Sequence, residues 1–262
     1  MTTAGGQWND LAPRLMSGGL FAVLGLFLIW VGGIPFHILV SLIAGIMVWE
    51  VARMVDGGNR AVPLGALTGL ALLILVELPA GFALPLLFVP ALVGISQLEK
   101  HKATYALFTS AVLFASFGLI ALRDEYGFIW MIWLALIVIF SDVLGYFAGR
   151  IIGGPKFWPK VSPKKTWSGT IAGWIGAAVI GAVYVAWGKA GVEIIGISIA
   201  LAIAGQLGDV AESALKRRMN VKDSSNILPG HGGMFDRFDA MLGASILLLL
   251  MGQIVGFPPV AQ

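Results

Sequence analysis

Nine runs of apolar residues, each cut short by glycine, proline or charge, occupy most of this 262-residue chain. They fall near 15–33, 35–53, 62–78, 80–97, 104–122, 127–149, 168–188, 192–214 and 239–257. A helix needs roughly 20 apolar residues to cross the hydrocarbon core of a bilayer. In lipid the backbone must satisfy its own polar groups, which leaves helices or closed barrels. The expected fold class is therefore all-α: a polytopic integral membrane helical bundle with about nine transmembrane helices. Composition agrees with this. Only 12% of the residues are charged and 58% are hydrophobic, against about 25% charged in a soluble domain. Met1 to Pro13 is polar and lacks the basic, apolar, small-residue order of a cleaved signal. It reads as a short cytoplasmic lead-in.

Charge placement gives an orientation. With the N-terminus inside, 15 basic residues fall on inner loops and only Arg123 and Lys189 on outer ones. This is the asymmetry expected for an odd number of spans under the positive-inside rule. The net charge of +3 is spread over short inner loops rather than gathered in a tail. That pattern points to anionic lipid and phosphate as partners, and not to nucleic acid. The absence of cysteine excludes disulfides, thiolate ligands and cysteine nucleophiles. Glu77 to Gly81 predicts a tight helical hairpin between the third and fourth runs. Gly169, Gly173 and Ala177 recur at four-residue spacing, which lets helices approach closely.

Against this apolar background, the segment from Ser213 to Asp239 gathers eight of the chain's 31 charged residues. Ionisable groups at a membrane edge are costly unless they bind something. Asp209 and Glu212 stand three apart near the inner end of one helix, and Asp236 and Asp239 three apart at the start of the next. Each pair shares a helix face. Hard carboxylate oxygens beside phosphate-binding cations suit Mg²⁺. Asp209, flanked by small and apolar residues, is the carboxylate expected to lie deepest, with Lys216 or Arg217 as its alternative ion-pair partner.

A second inner loop carries Ser162-Pro-Lys-Lys-Thr-Trp-Ser-Gly169. Pro163 holds the residue before it extended, Thr166 or Ser168 is placed to cap the following helix, and Lys164 and Lys165 sit beside a helix N-terminus that favours phosphate. The bland reading of the two lysines is headgroup anchoring. Asp142, four residues before Tyr146, either joins a metal shell or hydrogen-bonds across helices, and Glu50 reads as structural. His231, between glycines that permit close backbone approach, is equally a ligand-wrapping or a structural residue. His37 and His101 have no polar company in the sequence.

The segment resembles the signature of the CDP-diacylglycerol synthases (phosphatidate cytidylyltransferases). The matching residues are Ser213, Leu215, Lys216, Arg217, Lys222, Asp223, Ser225, Leu228, Pro229, His231, Gly232, Gly233, Met234, Asp236, Arg237, Phe238 and Asp239. The stretch 162–169 and Asp142 with Tyr146 are similar too, Gly145 standing where many members have alanine. The likeness is strong over about 140–245 and rests on hydropathy alone before that. It implies an enzyme that transfers CMP from CTP to phosphatidic acid, releasing CDP-diacylglycerol and pyrophosphate, in a bacterial inner membrane with a cytoplasmic active site. Residues 1–140 would form a membrane scaffold and 141–262 the catalytic region.

By the same resemblance, Asp223, Asp236, Asp239, Lys216 and Arg217 would be catalytic, and Lys164, Lys165, Lys222, Arg237, His231 and Ser213 would bind substrate. Asp209, Asp236 and Asp239 would hold Mg²⁺, one ion or two. CTP, phosphatidic acid and membrane lipids are the expected partners, and a homodimer is allowed. The rival readings are an ion-coupled transporter relaying through Asp142, Asp209 and Glu50, and a cytidylyltransferase with a different lipid phosphate. The Asp-Gly-x-x-Ala-Arg signature of CDP-alcohol phosphotransferases is absent.

Overall fold

The apolar runs do form helices. The computed structural model describes residues 11–56, 58–228, 232–252 and 257–259. In chain order the helices are α1 (Leu11–Val31), α2 (Gly33–Asp56), α3 (Ala61–Leu75), α4 (Ala80–Leu86), α5 (Val89–Gln97), α6 (Lys102–Tyr126) and α7 (Phe128–Ile151). After a hairpin of β1 (Lys156–Trp158) and β2 (Ser162–Thr166) come α8 (Trp167–Ala186), α9 (Glu193–Arg218) and α10 (Phe235–Gly252). Among the described residues, six helical stretches are long and apolar enough to cross a membrane: 33–56, 80–97, 102–126, 128–151, 167–186 and 193–218. The chain is an integral membrane protein whose described elements are all helices apart from the hairpin. The count of about nine is not reached on this measure. The third run yields only the 15 residues of α3, and α10 opens on Asp236, Arg237 and Asp239.

Two further departures have local causes. The fourth run breaks into α4 and α5 because Pro85 and Pro90 each remove a backbone donor where the helix would continue. The loop before α8 is an antiparallel hairpin, with Lys156 opposite Thr166 and Trp158 opposite Ser162. The extended geometry expected at Ser162 is realised there as strand. Thr166 caps α8 as expected, its hydroxyl accepting from the Gly169 amide at 3.2 Å.

Helix pairing places the site. α2 packs chiefly on α3, α7 on α8 and α9 on α10, while α6 runs against both α2 and α10. Helices do approach closely at the small-residue face of α8, and the partner is α7, with Gly169 against the Gly145 carbonyl and Gly173 against Ser141. The α9–α10 crossing is tighter still. A side chain on Gly208 would strike the Asp239 carbonyl, and one on Gly243 would strike that of Ala204. Glycine at both positions lets the two backbones touch, and this contact sets Asp209 beside Asp239.

The far end of the bundle corrects one expectation. His37 does have polar company: its Nε2 lies 2.7 Å from Asp124 and its Nδ1 3.1 Å from Glu77, joining α2 and α6 to the turn after α3. Nearby, Arg123 donates to the carbonyls of Ile29 and Trp30 at the end of α1.

Candidate active site

The C-terminal halves of α7 and α9 and the N-terminal ends of α8 and α10, together with β2, line a cavity of about 700 Å³. Its walls carry six carboxylates (Asp142, Asp209, Glu212, Asp223, Asp236, Asp239) and five basic side chains (Arg150, Lys164, Lys165, Lys216, Arg237). Gln206 ties the floor together. It accepts from Trp174 at 2.9 Å and donates to the Thr170 carbonyl at 3.2 Å and to Ser141 at 3.4 Å, so α7, α8 and α9 keep a fixed relation.

Helical spacing then aims the acids. Asp209, Glu212 and Lys216 follow at intervals of three and four along α9, which puts them on one face. Among the described residues, one oxygen each of Asp209, Glu212 and Asp239 lies within 4.8 Å of the others. Glu212 is 1% exposed, and neither of its oxygens makes a hydrogen bond among the described residues. Lys216 reaches one of them at 2.6 Å, an ion-pair distance without hydrogen-bond geometry. Three converging carboxylates, one of them buried with unfilled acceptor positions, repel each other unless a cation or protons intervene. The donor set is all oxygen and suits a hard divalent cation. The residues present fit such an ion.

Asp236, expected beside Asp239 in that shell, is turned elsewhere. Its Oδ2 accepts from the Ser224 amide at 3.0 Å, the Ser224 hydroxyl at 2.9 Å and the Gly233 amide at 2.8 Å. Its Oδ1 faces Lys216 at 2.6 Å. Asp236 thus staples the loop after α9 to the start of α10. Glu212, paired with Asp209 in the sequence but not counted there among the ligands, takes the position beside Asp209 and Asp239.

Asp209 finds its counter-ion in β2, not in α9. Lys165 lies 2.6 Å from it and also donates to the Gln206 carbonyl at 3.3 Å. Ser213 donates to the other Asp209 oxygen at 3.3 Å. Asp142 lines the cavity with no hydrogen bond among the described residues. Of the other residues expected to bind substrate or act in catalysis, Lys164, Asp223 and Arg237 line the cavity, while Arg217 and Lys222 are exposed outside its lining. His231 lies outside the described residues.

Two participants had little signal in the sequence. Arg150 donates to the Tyr146 hydroxyl at 2.7 Å on the cavity wall, a pair at helical spacing that could have been read. Glu50 is fully buried and bonds Ser225, Met234 and Phe235, residues more than 170 positions away.

The sequence that builds this cavity matches a known family. The model of the cytidylyltransferase family covers residues 12–255. The chain belongs to that family. As a cytidylyltransferase it is an enzyme of the nucleotidyltransferase class. The phosphatidate cytidylyltransferase of Brucella abortus biovar 1 (strain 9-941) is 34% identical to it over 266 residues, 96% of this chain and 97% of that one. The protein of the same name from Bacillus subtilis (strain 168) is 34% identical over 255 residues, 89% and 94% of the two chains. That from Helicobacter pylori (strain ATCC 700392 / 26695) is 36% identical over 163 residues, 59% of each. The match to the cytidylyltransferases therefore extends well in front of residue 140, where the sequence alone offered only hydropathy.

Proposed function

We propose that this chain is a phosphatidate cytidylyltransferase, joining CMP from CTP to phosphatidic acid at the cytoplasmic face of the membrane. The observation that carries the reading is the convergence of Asp209, Glu212 and Asp239 beside Lys165 and Lys216, within a cavity lined by four helices. The names of the relatives from Brucella abortus and Bacillus subtilis point to the two substrates.

In this reading the phosphatidate phosphate oxygen attacks the α-phosphorus of CTP. A new P–O bond forms, the bond from the α-phosphorus to the α–β bridging oxygen breaks, and pyrophosphate leaves with that electron pair. A phosphate dianion needs no enzyme nucleophile, so the work of the protein is positioning and charge neutralisation. Lys164, Lys165 and Arg237 hold phosphate oxygens that would otherwise repel one another. Lys216 balances Glu212 and Asp236, and Asp236 keeps the loop that carries Asp223 against the cavity. Asp209, Glu212 and Asp239 would hold a divalent cation, which would supply positive charge to offset that of the triphosphate. The lining carries one more acid than base, so an anionic nucleotide enters more easily with a cation than without one. Lys222, Ser213 and His231 remain assigned to the substrates, and Arg217 to catalysis, through the family signature.

Purified protein given phosphatidate, Mg²⁺ and each nucleoside triphosphate in turn should release pyrophosphate and form a liponucleotide with CTP. Absence of product with every nucleotide would remove the proposal. Ion-coupled transport is the less supported reading, because Glu50 is committed to three hydrogen bonds and is withdrawn from any relay with Asp142 and Asp209.

The nine-run reading with the N-terminus inside places the hairpin and cavity in the cytoplasm, with residues 1–140 as scaffold and 141–262 as the catalytic region. Because the chain has no cysteine, single substitutions report orientation without background. Lys160→Cys should react with a membrane-impermeant thiol reagent only from the cytoplasmic side, and Lys189→Cys only from the other. Labelling of both from one side would overturn the topology.

A further inference from the structure

Glu50 lies on α2, far in sequence from every cavity residue, yet its carboxylate is the point on which the start of α10 rests. Oε1 accepts from the Met234 amide at 2.9 Å and from the Ser225 hydroxyl, and Oε2 accepts from the Phe235 amide at 2.7 Å. A helix leaves its first amides without partners of its own, and a side chain preceding the helix commonly fills them. Here a carboxylate from another helix does so. Its negative charge also complements the positive end of the α10 dipole.

The seat is closely fitted. Gly233 passes so near that a Cβ there would collide with Glu50 and with Ser224. Phe235 is buried and stacks edge-on against Phe108 of α6, with ring centroids 6.0 Å apart. One turn beyond this anchor stands Asp239, and between them Asp236. The three donors around Glu50 come from the two sides of the loop, Ser225 at its start and Met234 and Phe235 at its end. Glu50 therefore closes the loop as well as aiming the helix.

We infer that Glu50 is a positioning residue for the cation-binding carboxylates, setting the angle of α10 so that Asp239 meets Asp209 and Glu212. The inference rests on the assignment of that cluster as a divalent-cation site. It adds a residue from the front half of the chain that touches neither the cation nor the substrates. Glutamine at this position keeps size and polarity but cannot accept on both ends. Its NH₂ group must face either Phe235 N–H or the Ser225 and Met234 donors. Loss of a partner behind a metal ligand typically costs about 10–100-fold in metal affinity or activity.

The test uses the full-length protein in detergent, with Mn²⁺ binding followed by its electron paramagnetic resonance signal in the absence of nucleotide and lipid. Glu50→Gln should weaken Mn²⁺ binding by about tenfold or more. In the cytidylyltransferase assay the Mg²⁺ concentration for half-maximal activity should rise by a similar factor, while KM for CTP at saturating Mg²⁺ changes less than threefold. Glu50→Asp, which retains both acceptor oxygens, should recover part of the Mn²⁺ affinity.

Wild-type Mn²⁺ affinity in folded Glu50→Gln would overturn the inference. Should that variant not be recovered folded, Ser225→Ala decides: weaker Mn²⁺ binding supports the inference and an unchanged affinity overturns it. The two readings separate cleanly. Product formed by the wild type, with Mn²⁺ affinity indifferent to Glu50, leaves the proposed reaction and sinks the positioning role. Glu50-dependent Mn²⁺ binding without any liponucleotide does the reverse.

Discussion

Asp239→Asn should abolish turnover and leave the fold intact, whereas Asp236→Asn should damage both. The two carboxylates stand three residues apart on α10, but their partners differ. Asp239 faces Asp209 and Glu212 and makes no ion pair with a described basic residue, so removing its charge relieves repulsion among the three acids. The loss should appear as a fall in kcat of at least about 100-fold, the upper end of what losing a mere supporting partner costs. The melting temperature in detergent should be equal to that of the wild type or higher. Asp236 accepts four contacts, from Ser224 twice, Gly233 and Lys216. Its replacement should lower both activity and melting temperature. Measured side by side, equal thermal losses in the two variants would contradict the division between a ligand and an anchor.

Lys216→Met should be the most destabilising single change within residues 141–262. The Lys216 side chain is 13% exposed and lies 2.6 Å from both Glu212 and Asp236. Removing one partner of a buried ionic group strands charge in a medium that solvates it poorly, at a cost of about 3–5 kcal/mol. Methionine keeps most of the side-chain volume, so the loss reports charge rather than a cavity. Glu212→Gln in the same chain should return part of that loss, because one of the stranded acids is then neutral, and the coupling appears as non-additivity in a double-mutant cycle. Thermal unfolding of the four proteins in detergent checks this. A Lys216→Met protein as stable as the wild type would show that the lysine is not what holds these acids together.

Much of the helical plan was legible because each run is long and lipid tolerates little but helix. The exceptions are where single residues override the run. Pro85 and Pro90 were visible in the sequence, yet hydropathy averages across them and merges α4 with α5. The β1–β2 hairpin is too short for any periodicity to register, although Pro163 already required extended backbone beside it. In the cavity, i, i+3 spacing picked out two acidic pairs that line it but could not rank their members. Asp236 and Asp239 occupy equivalent positions in that pattern. What separates them is the presence of the Ser224 and Gly233 amides beside one and not the other, which depends on how the intervening loop folds back. Lys165 as the partner of Asp209 was hidden for a related reason. Local spacing favours Lys216 or Arg217 on the same helix, whereas the observed cation arrives from a strand 44 residues away. Glu50 had no local sign at all, being one acid in an apolar helix with its donors 175 to 185 positions downstream.

The Glu50 tie has a bearing on how such proteins can be recombined. Residues 141–262 contain every acid of the cavity, but their shape is completed by an acceptor from α2, and Ser245 of α10 also donates to the Ala115 carbonyl of α6 at 2.7 Å. A fragment starting at residue 141 would expose the Phe235 amide and lose both struts. A chimaera joining this rear half to the front half of a relative inherits a working centre only if the donor supplies a carboxylate at the same height on its second helix. The two halves must travel together, and breeding hybrids across the junction would sort relatives by whether they share that one contact.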